Sequence, residues 1–267
     1  MEQPANLEPL RAAAEEVADR VSCARRAAAL TGAGISAESG IPTFRSASTA
    51  LWRNYRPEDL ATPDAFSRDP ELVTEWYMMR LQMVLAARPN PGHVALAKIE
   101  QSFRARGADF NLLTQNVDGL HVEAGSRNVV ELHGSIRIWR CVACAMELTA
   151  AACLTQRENE VGGAIRCNCG APMRPGVVWF GEVLPRDAWE RAERDALAAE
   201  IFVVAGTSAA VYPAAGLVDI AMRSGAFIVE VNPESTDATP ICDLSVRAPS
   251  GTFLPLVWER MADFVAE

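Results

Sequence analysis

Histidine is the side chain best suited to act as a general base near neutral pH, and this chain has three, at positions 93, 121 and 133. His133 lies in the run Glu131-Leu132-His133-Gly134-Ser135, soon after the polar run Gln115-Asn116-Val117-Asp118-Gly119-Leu120-His121. A lone histidine is more often a hydrogen-bonded structural residue than a base. From the residues alone His133 is therefore no more than a candidate base, whereas we expect His121 to fix a loop or fill the core and His93 only to begin a helix.

The cysteines form a second group that could do chemistry. Cys141-x-x-Cys144 and Cys167-x-Cys169 are separated by residues 145–166. Two thiolate pairs brought together make a tetrahedral site that suits Zn²⁺ and leaves no open position for water. The spacing therefore predicts a structural zinc site, although Cys153, which lies between the pairs, could replace one ligand. Cys23 and Cys242 are expected to be ordinary buried residues.

Glycines and small polar residues follow apolar runs of strand length. Gly32 and Gly34 follow Ala29-Leu30-Thr31, and Gly206-Thr207-Ser208 follows the run 201–205. Such a turn, continued as a helix, can hold a phosphate, because glycine lets the backbone approach and helix N-terminal N–H groups face the negative charge. A glycine pair alone is weak support, since many turns need glycine for steric reasons.

These candidate residues need a scaffold, and the apolar pattern indicates a parallel sheet. Short apolar runs at 110–114, 201–205 and 226–231 alternate with helical patterns such as 185–199, and a helical pattern over 11–29 precedes the first strand. Ligand-facing residues in such sheets lie just beyond the carboxyl ends of the strands. Polar residues stand at these positions: Gln115, Asn116, Asn232 and Glu234. The expected fold class is α/β, with a Rossmann-like doubly wound parallel sheet.

Two segments interrupt this pattern. Residues 46–90 are rich in tryptophan, tyrosine, proline and charge, and are expected to form a helical insertion. Residues 137–176 carry the cysteine pairs and are expected to form a small zinc-binding module. The Rossmann-like domain would then comprise residues 1–45, 91–136 and 177–267.

Composition excludes several classes of protein. The 267 residues, 49% of them hydrophobic, fit one large domain or one domain with an inserted module. A net charge of −9 argues against nucleic acid as a partner. The apolar runs have the length of strands rather than of membrane spans, so no membrane association is expected. The acidic, alanine-rich start does not resemble a secretory signal, and we expect a cytoplasmic protein. Nothing in the sequence indicates an oligomeric state.

In their order along the chain, these motifs resemble those of the sirtuins, which are NAD-dependent protein-lysine deacylases. The resemblance runs from about residue 21 to about residue 255. It implies NAD and Zn²⁺ as cofactors and acylated lysine side chains on proteins as partners. It also implies that the acyl carbonyl oxygen attacks the nicotinamide ribose and expels nicotinamide. His133 would then take a proton from a ribose hydroxyl, and free lysine and O-acyl-ADP-ribose would be the products.

The resemblance further implies the roles of individual residues. The catalytic set is His133, Asn116 and Asp118. An acidic group on the ribose hydroxyls, the role of Glu234, favours NAD over NADP. The cofactor-binding set is Gly32, Ala33, Gly34, Ser36, Ala37, Glu38, Phe44, Arg45, Trp52, Gln115, Asn116, Asp118, Gly206, Thr207, Ser208, Asn232, Glu234 and Ser250. Residues 46–50 lack the glycines usual in the family's cofactor-covering loop, so a stiffer loop is expected.

Tyr77 and Arg80 bear on which acyl group is removed. They are three residues apart and would share one face of a helix. A phenol and a guanidinium on that face would bind a carboxylate, to which arginine can give two parallel hydrogen bonds. Sirtuins of the bacterial class III type carry this Tyr-x-x-Arg and remove succinyl and malonyl as well as acetyl groups. Residues 177–182, among them Val178, Trp179 and Phe180, match the family's strip on which the substrate backbone would lie as an added strand. From the residues alone, this strip reads as a buried strand, at least in part.

The resulting expectation is a class III sirtuin, a desuccinylase and demalonylase that also removes acetyl groups. Two other functions remain open. One is an NAD hydrolase or ADP-ribosyltransferase, whose ribose chemistry begins identically; the zinc module and Tyr-x-x-Arg argue against it, because a plain NAD hydrolase needs neither. The other is a non-enzymatic NAD-sensing protein with a relict site. The presence of Asn116, Asp118 and His133 argues against a relict, since binding alone does not require a base.

Overall fold

The computed structural model describes residues 7–43, 60–159 and 163–266. The helices are α1 (Glu8–Cys23), α2 (Ala33–Ala37), α3 (Pro63–Arg68), α4 (Pro70–Ala86), α5 (Pro91–Ala105), α6 (Leu120–Glu123), α7 (Ala150–Asn159), α8 (Arg186–Ala198), α9 (Gly216–Arg223) and α10 (Ser250–Ala266). The strands are β1 (Arg26–Thr31), β2 (Asp109–Thr114), β3 (Val129–Glu131), β4 (Gly134–Cys141), β5 (Glu147–Thr149), β6 (Met173–Val177), β7 (Ile201–Ala205), β8 (Phe227–Val231) and β9 (Leu244–Val246). A 3₁₀ turn covers Thr239–Ile241. Every helix in the described ranges is too short or too polar to cross a bilayer.

The larger sheet is parallel and doubly wound, as the sequence predicted. Its strand order is β3-β2-β1-β7-β8-β9, and all five strand pairs are parallel. The chain builds outward from β1 to β3 on one side, then returns to the other side of β1 with β7. The junction between β1 and β7 is therefore the point at which the strand order reverses, where sheets of this kind place their ligands.

Both faces of this sheet are covered by helices, which explains why its strands are apolar without interruption. Ala27 and Ala29 of β1 face a core formed with α1, α5 and α10. Ala28 and Leu30 face the opposite core, formed with α8 and α9. Successive β1 side chains face opposite cores because a strand has a two-residue period.

The helix expected over 11–29 is shorter than predicted. α1 ends at Cys23, and residues 26–31 form a strand that pairs with β2 and β7.

The other sheet has three antiparallel strands in the order β5-β4-β6 and carries the cysteine pairs. Its core is continuous with that of the helices α3 and α4. Val73, Trp76 and Leu81 of α4 lie in the same buried cluster as Trp139 and Met173 of the sheet. The described parts of the two insertions thus bury their apolar surfaces against each other. A salt bridge of 3.1 Å between Arg157 and Glu75 also joins α7 to α4.

Candidate active site

The loops that follow β1 and β7 are in direct backbone contact. The Gly34 N–H donates to the Gly206 carbonyl oxygen at 2.7 Å. A Cβ on Gly34 would lie 2.6 Å from that oxygen, and Gly206 itself has a φ of +60°. No other residue fits here without displacing backbone. Gly34 and Gly206 are thus required for the packing of the two loops against each other. The sequence had predicted a different reason for the glycines, the approach of a phosphate.

Asn116, Asp118 and Ser36 form a buried, hydrogen-bonded group between β2 and α2. The Ser36 hydroxyl donates to Asp118 Oδ2 at 2.8 Å, and the Leu120 N–H donates to Asp118 Oδ1 at 2.8 Å. Asn116 Nδ2 donates to Ser36 Oγ at 3.1 Å and to the Gly32 carbonyl at 3.0 Å. Both carboxylate oxygens of Asp118 are therefore oriented, and the motif around Asn116 and Asp118 is held to the one that runs from Gly32 to Ser36.

Polar residues that follow the parallel strands β2, β7 and β8 meet at the same edge of the sheet. Gln115 Nε2, beyond β2, donates to Thr207 Oγ1, beyond β7, at 2.9 Å. Asn232 Nδ2, beyond β8, donates to the Thr207 carbonyl at 2.9 Å. The Asp237 N–H donates to the Ser208 carbonyl at 3.2 Å. The structure thus brings these predicted site residues together as the strand-end argument required.

Other residues of the predicted cofactor set lie at the margin of this group. Ala33 is half-buried, and Ala37 and Glu38 are exposed. Glu38 accepts a hydrogen bond of 2.7 Å from the Gly251 N–H at the start of α10, beside the buried Ser250. Phe44, Arg45 and Trp52, together with loop 46–50, lie outside the described residues.

Glu234 is exposed, and its backbone carbonyl accepts from Arg247 at 3.1 Å. The buried acid at this edge is instead Glu230, inside β8, whose carboxylate pairs with Arg247 at 2.6 Å and accepts from Thr236 and Thr239. Glu230 was missed because a glutamate within an apolar strand has no sequence motif of its own. It ties the segment after β8, which includes Asn232, to the end of β9.

His133 immediately precedes β4 and is held by the backbone of the neighbouring loop. Its Nδ1 lies 2.9 Å from the Gln115 carbonyl oxygen. A carbonyl can only accept, so the ring proton is on Nδ1 and Nε2 keeps its lone pair. Burial lowers the pKa of His133 below its usual value, and the bond to Gln115 only partly opposes this. His133 is therefore neutral at pH 7, as a general base must be.

The other two histidines are buried beneath this site. His121 Nε2 lies 2.9 Å from Thr31 Oγ1, so His121 fixes the loop end as expected. His93 does begin a helix, but its Nε2 also lies 3.4 Å from Ser36 Oγ, which the sequence did not indicate. Burial lowers the pKa of His93 to about 4 and that of His121 well below its usual value.

Arg137 of β4 is another contact that the sequence did not indicate. Its Nε donates to the Asp118 carbonyl at 2.7 Å, and its Nη2 pairs with Glu123 at 3.0 Å. A Cβ on Gly119 would lie 2.8 Å from Arg137 Nε. β4 therefore links three parts of the molecule: His133 directly precedes it, Arg137 lies in its middle and Cys141 is its last residue.

The four predicted cysteines converge to form a candidate metal centre. The sulfurs of Cys141, Cys144, Cys167 and Cys169 all lie within 4.8 Å of one another. Four thiolates in a compact cluster suit a tetrahedral Zn²⁺ with no position for water. Cys153 is not part of this cluster, because it is buried in α7. It therefore does not replace one of the four ligands. The expectation for Cys23 is wrong, because it is exposed at the end of α1, and Cys242 is only half-buried.

Tyr77 and Arg80 share one side of α4, as their spacing predicted. The Arg80 guanidinium carbon lies 5.5 Å from the centroid of the Tyr77 ring and 4.8 Å from that of Trp76. Burial raises the pKa of Tyr77 and lowers that of Arg80. The Trp179 indole N–H donates to the Tyr77 hydroxyl at 2.9 Å. The predicted acyl-recognition residues are thus joined to the predicted substrate strip.

Only the first residue of that strip, Val177, lies in a strand, because β6 ends there; the strand interpretation is confirmed for Val177 and wrong for the residues after it. The next three N–H groups bond within the chain. Val178 donates to the His133 carbonyl at 2.8 Å, and Phe180 donates to the Ala61 carbonyl at 2.9 Å. The Trp179 N–H donates to Glu182 Oε2 at 2.8 Å. These three N–H groups fix the strip to the protein, so an added strand would have to pair through carbonyl groups here.

Comparison with known proteins agrees with this arrangement. Residues 32–213 match the Sir2 family. An NAD-dependent protein deacylase of Thermus thermophilus is 52% identical over 233 residues, which cover 87% of this chain and 89% of the relative. A solved Sir2 homologue–NAD complex is 44% identical, with a TM-score of 0.85 and 94% of each chain covered. A Sir2–p53 peptide–NAD⁺ complex is 34% identical, with a TM-score of 0.82, covering 93% of this chain and 98% of that one.

A doubly wound sheet with polar residues gathered beyond the carboxyl ends of its strands, and a neutral histidine beside Gln115, defines an α/β protein suited to bind a nucleotide. The match over residues 32–213 and the 52% identity make the family definite. The chain belongs to the Sir2 family, the sirtuins.

Proposed function

We propose that this protein is an NAD-dependent protein-lysine deacylase that removes succinyl and malonyl groups as well as acetyl groups. The deacylase activity is supported by the names of its relatives and by the NAD and peptide complexes solved for similar chains. The preference for acidic acyl groups is supported by one observation, the placement of Tyr77 and Arg80 side by side on α4. The expected cytoplasmic location and the absence of a nucleic-acid partner stay predictions.

The residues at the β1–β7 junction are suited to hold NAD. The loop from Gly32 to Ser36 and the residues Gly206 to Ser208 would take its phosphates and adenosine, while Asn116 and Asp118 would take the nicotinamide side. When bound, NAD would supply the ribose carbon to which the acyl oxygen bonds as nicotinamide leaves. His133 Nε2, which keeps its lone pair, would take a proton from a ribose hydroxyl. The Gln115 carbonyl keeps the ring oriented during that transfer.

The four cysteines fit a structural role for Zn²⁺. A four-sulfur site has no coordination position for substrate, and its ligands Cys141 and Cys167 lie in the core that also contains Tyr77. The metal would therefore maintain the core from which the acyl-recognition side chains project.

The test compares release of succinyl and acetyl groups from matched lysine peptides with NAD, using wild type, Arg80→Met and the control Arg68→Met on the exposed end of α3. A charge-assisted contact predicts that Arg80→Met lowers kcat/KM for the succinyl peptide by about ten- to a hundredfold relative to the acetyl peptide. Arg68→Met should leave that ratio as in wild type.

The same assay separates the other functions. Nicotinamide release without loss of either acyl group would contradict the deacylase and support an NAD hydrolase or ADP-ribosyltransferase. Binding of NAD without any turnover would support a non-enzymatic protein. If wild type removes acetyl but not succinyl groups, the proposed deacylase activity is supported and the proposed preference for acidic acyl groups is contradicted.

A further inference from the structure

The hydrogen bond between Trp179 and Tyr77 has only one possible direction. An indole N–H can donate but not accept, so the Tyr77 oxygen must accept in the bond of 2.9 Å. The hydroxyl proton of Tyr77 therefore points elsewhere. Tyr77 and Trp179 are 2% and 3% exposed, so this arrangement is shielded from exchange with bulk water. Burial also raises the pKa of Tyr77, and the phenol keeps its proton.

Trp179 is itself held from two sides. The Arg174 guanidinium carbon lies 3.4 Å from the centroid of the Trp179 ring, and the Phe66 ring lies 5.3 Å away. Glu182 binds Arg174 through two hydrogen bonds of 2.6 and 2.8 Å and also accepts from the Trp179 backbone N–H at 2.8 Å. The indole is therefore fixed in place, and the orientation of the Tyr77 hydroxyl follows from it.

We propose that Trp179 is a positioning residue for acidic acyl groups: by occupying the acceptor side of the Tyr77 hydroxyl, it directs the phenol proton toward the acyl carboxylate that Arg80 neutralises. This inference rests on the proposed function. A hydroxyl can rotate and present either a donor or a lone pair, and a carboxylate is repelled by the lone pair. Fixing the donor orientation before binding removes an ordering cost, which strengthens binding without any new contact with the ligand.

The test is a double-mutant cycle of Trp179→Phe and Tyr77→Phe, with Trp258→Phe as the control in the separate core around α10. We expect Trp179→Phe to lower the succinyl-to-acetyl ratio of kcat/KM by about three- to tenfold, the range for one hydrogen bond, mainly through KM for the succinyl peptide. In the Tyr77→Phe background it should lower that ratio no further, because the hydroxyl that it orients is absent. Trp258→Phe should leave the ratio unchanged.

Several outcomes would overturn the inference. An unchanged ratio in Trp179→Phe, equal losses with both peptides, or a fall in the ratio that persists in the Tyr77→Phe background would each reduce Trp179 to a packing residue. If wild type removes no succinyl groups, the proposed preference fails and the inference falls with it.

Where Trp179→Phe does not fold, Glu182→Gln replaces it in the cycle: this variant loosens Arg174 but keeps the indole. A smaller fall in the ratio that again depends on Tyr77 is expected, and no dependence on Tyr77 overturns the proposal.

Discussion

The tautomer of His133 is set by the backbone carbonyl of Gln115 and not by a carboxylate side chain. A carbonyl carries no net charge, so its hydrogen bond raises the pKa of His133 less than burial lowers it. Burial is therefore the larger influence, and it lowers the pKa of His133. Partial removal of His133 from water keeps its imidazole neutral and able to accept a proton, because burial disfavours the charged form of a histidine.

This arrangement predicts the acid limb of the pH profile. Because burial lowers the pKa of His133 below 6.5, more than half of it is neutral at pH 6.5, and activity should persist there. The kcat/KM for an acyl-lysine peptide, measured from pH 8 down to pH 5, is expected to fall with a midpoint below pH 6.5. A midpoint at or above 6.5 would contradict this account of the base.

His133→Ala should abolish deacylation while NAD binding, followed by calorimetry, is retained.

At the residue scale, the sequence identified those side chains that lie in contiguous motifs at strand ends. Asn116, Asp118 and His133 belong to this class. Arg137 and Glu230 do not, because each acts through contacts with residues distant in the chain. A side chain whose role depends on which strand lies beside it has no local pattern from which to infer that role.

At the scale of elements, the described parts of segments 46–90 and 137–176 share one buried core, and the cysteine cluster lies at its edge. Cys141 and Cys167 lie in the same buried cluster as Trp76 and Tyr77 of α4. Loss of the metal would remove the bonds that hold four sulfurs from two separate segments together at the edge of that cluster. The cluster is therefore expected to need its metal to stay packed.

This predicts a difference between two cysteines of the same module. Cys144→Ser should reduce bound zinc, measured by atomic absorption, from about one per chain to nearly none, because a hydroxyl is a poor fourth ligand. Cys153→Ser should keep the zinc, since Cys153 lies outside the cluster. Its buried hydroxyl should instead lower the unfolding midpoint. Equal loss of zinc in both variants would contradict the assignment of ligands.

The elements themselves were predictable to different degrees. Strands buried on both faces, such as β7 and β8, gave clear apolar runs bounded by polar residues. The segment 178–182 has a similar apolar start, yet it forms no strand, because the His133 and Ala61 carbonyls and the Glu182 carboxylate take its N–H groups. That competition for hydrogen bonds comes from other segments and leaves no mark on the local pattern.

At the scale of the whole molecule, all three histidines have pKa values lowered by burial. In the unfolded chain each would take a proton near pH 6.5, whereas the folded protein excludes it. The unfolded state therefore binds more protons below this pH, and the free energy of unfolding must decrease as the pH falls. Burial raises the pKa values of the Glu131 and Asp195 carboxyls, which act in the opposite sense at lower pH.

Chemical denaturation between pH 7.5 and 5.5 should show this loss directly. Each histidine that stays neutral contributes a slope approaching about 1.4 kcal/mol per pH unit at the acid end of this range. His121→Asn should reduce the pH dependence by roughly one histidine's share, whatever it does to the absolute stability. A free energy of unfolding that stays constant or rises as the pH falls would contradict the buried, neutral state of these side chains.

The strand order also dictates the timing of folding during synthesis. β1, β2 and β3 are complete once residue 131 has left the ribosome, but the partner on the other side of β1 ends only at Ala205. Over that interval the nascent chain carries an apolar strand with one unsatisfied edge, the kind of edge that pairs with other chains. The close contact between Gly34 and Gly206, on which the geometry of the site depends, likewise requires a residue made 172 positions later. The active site therefore cannot be complete before the central strand gains its second neighbour.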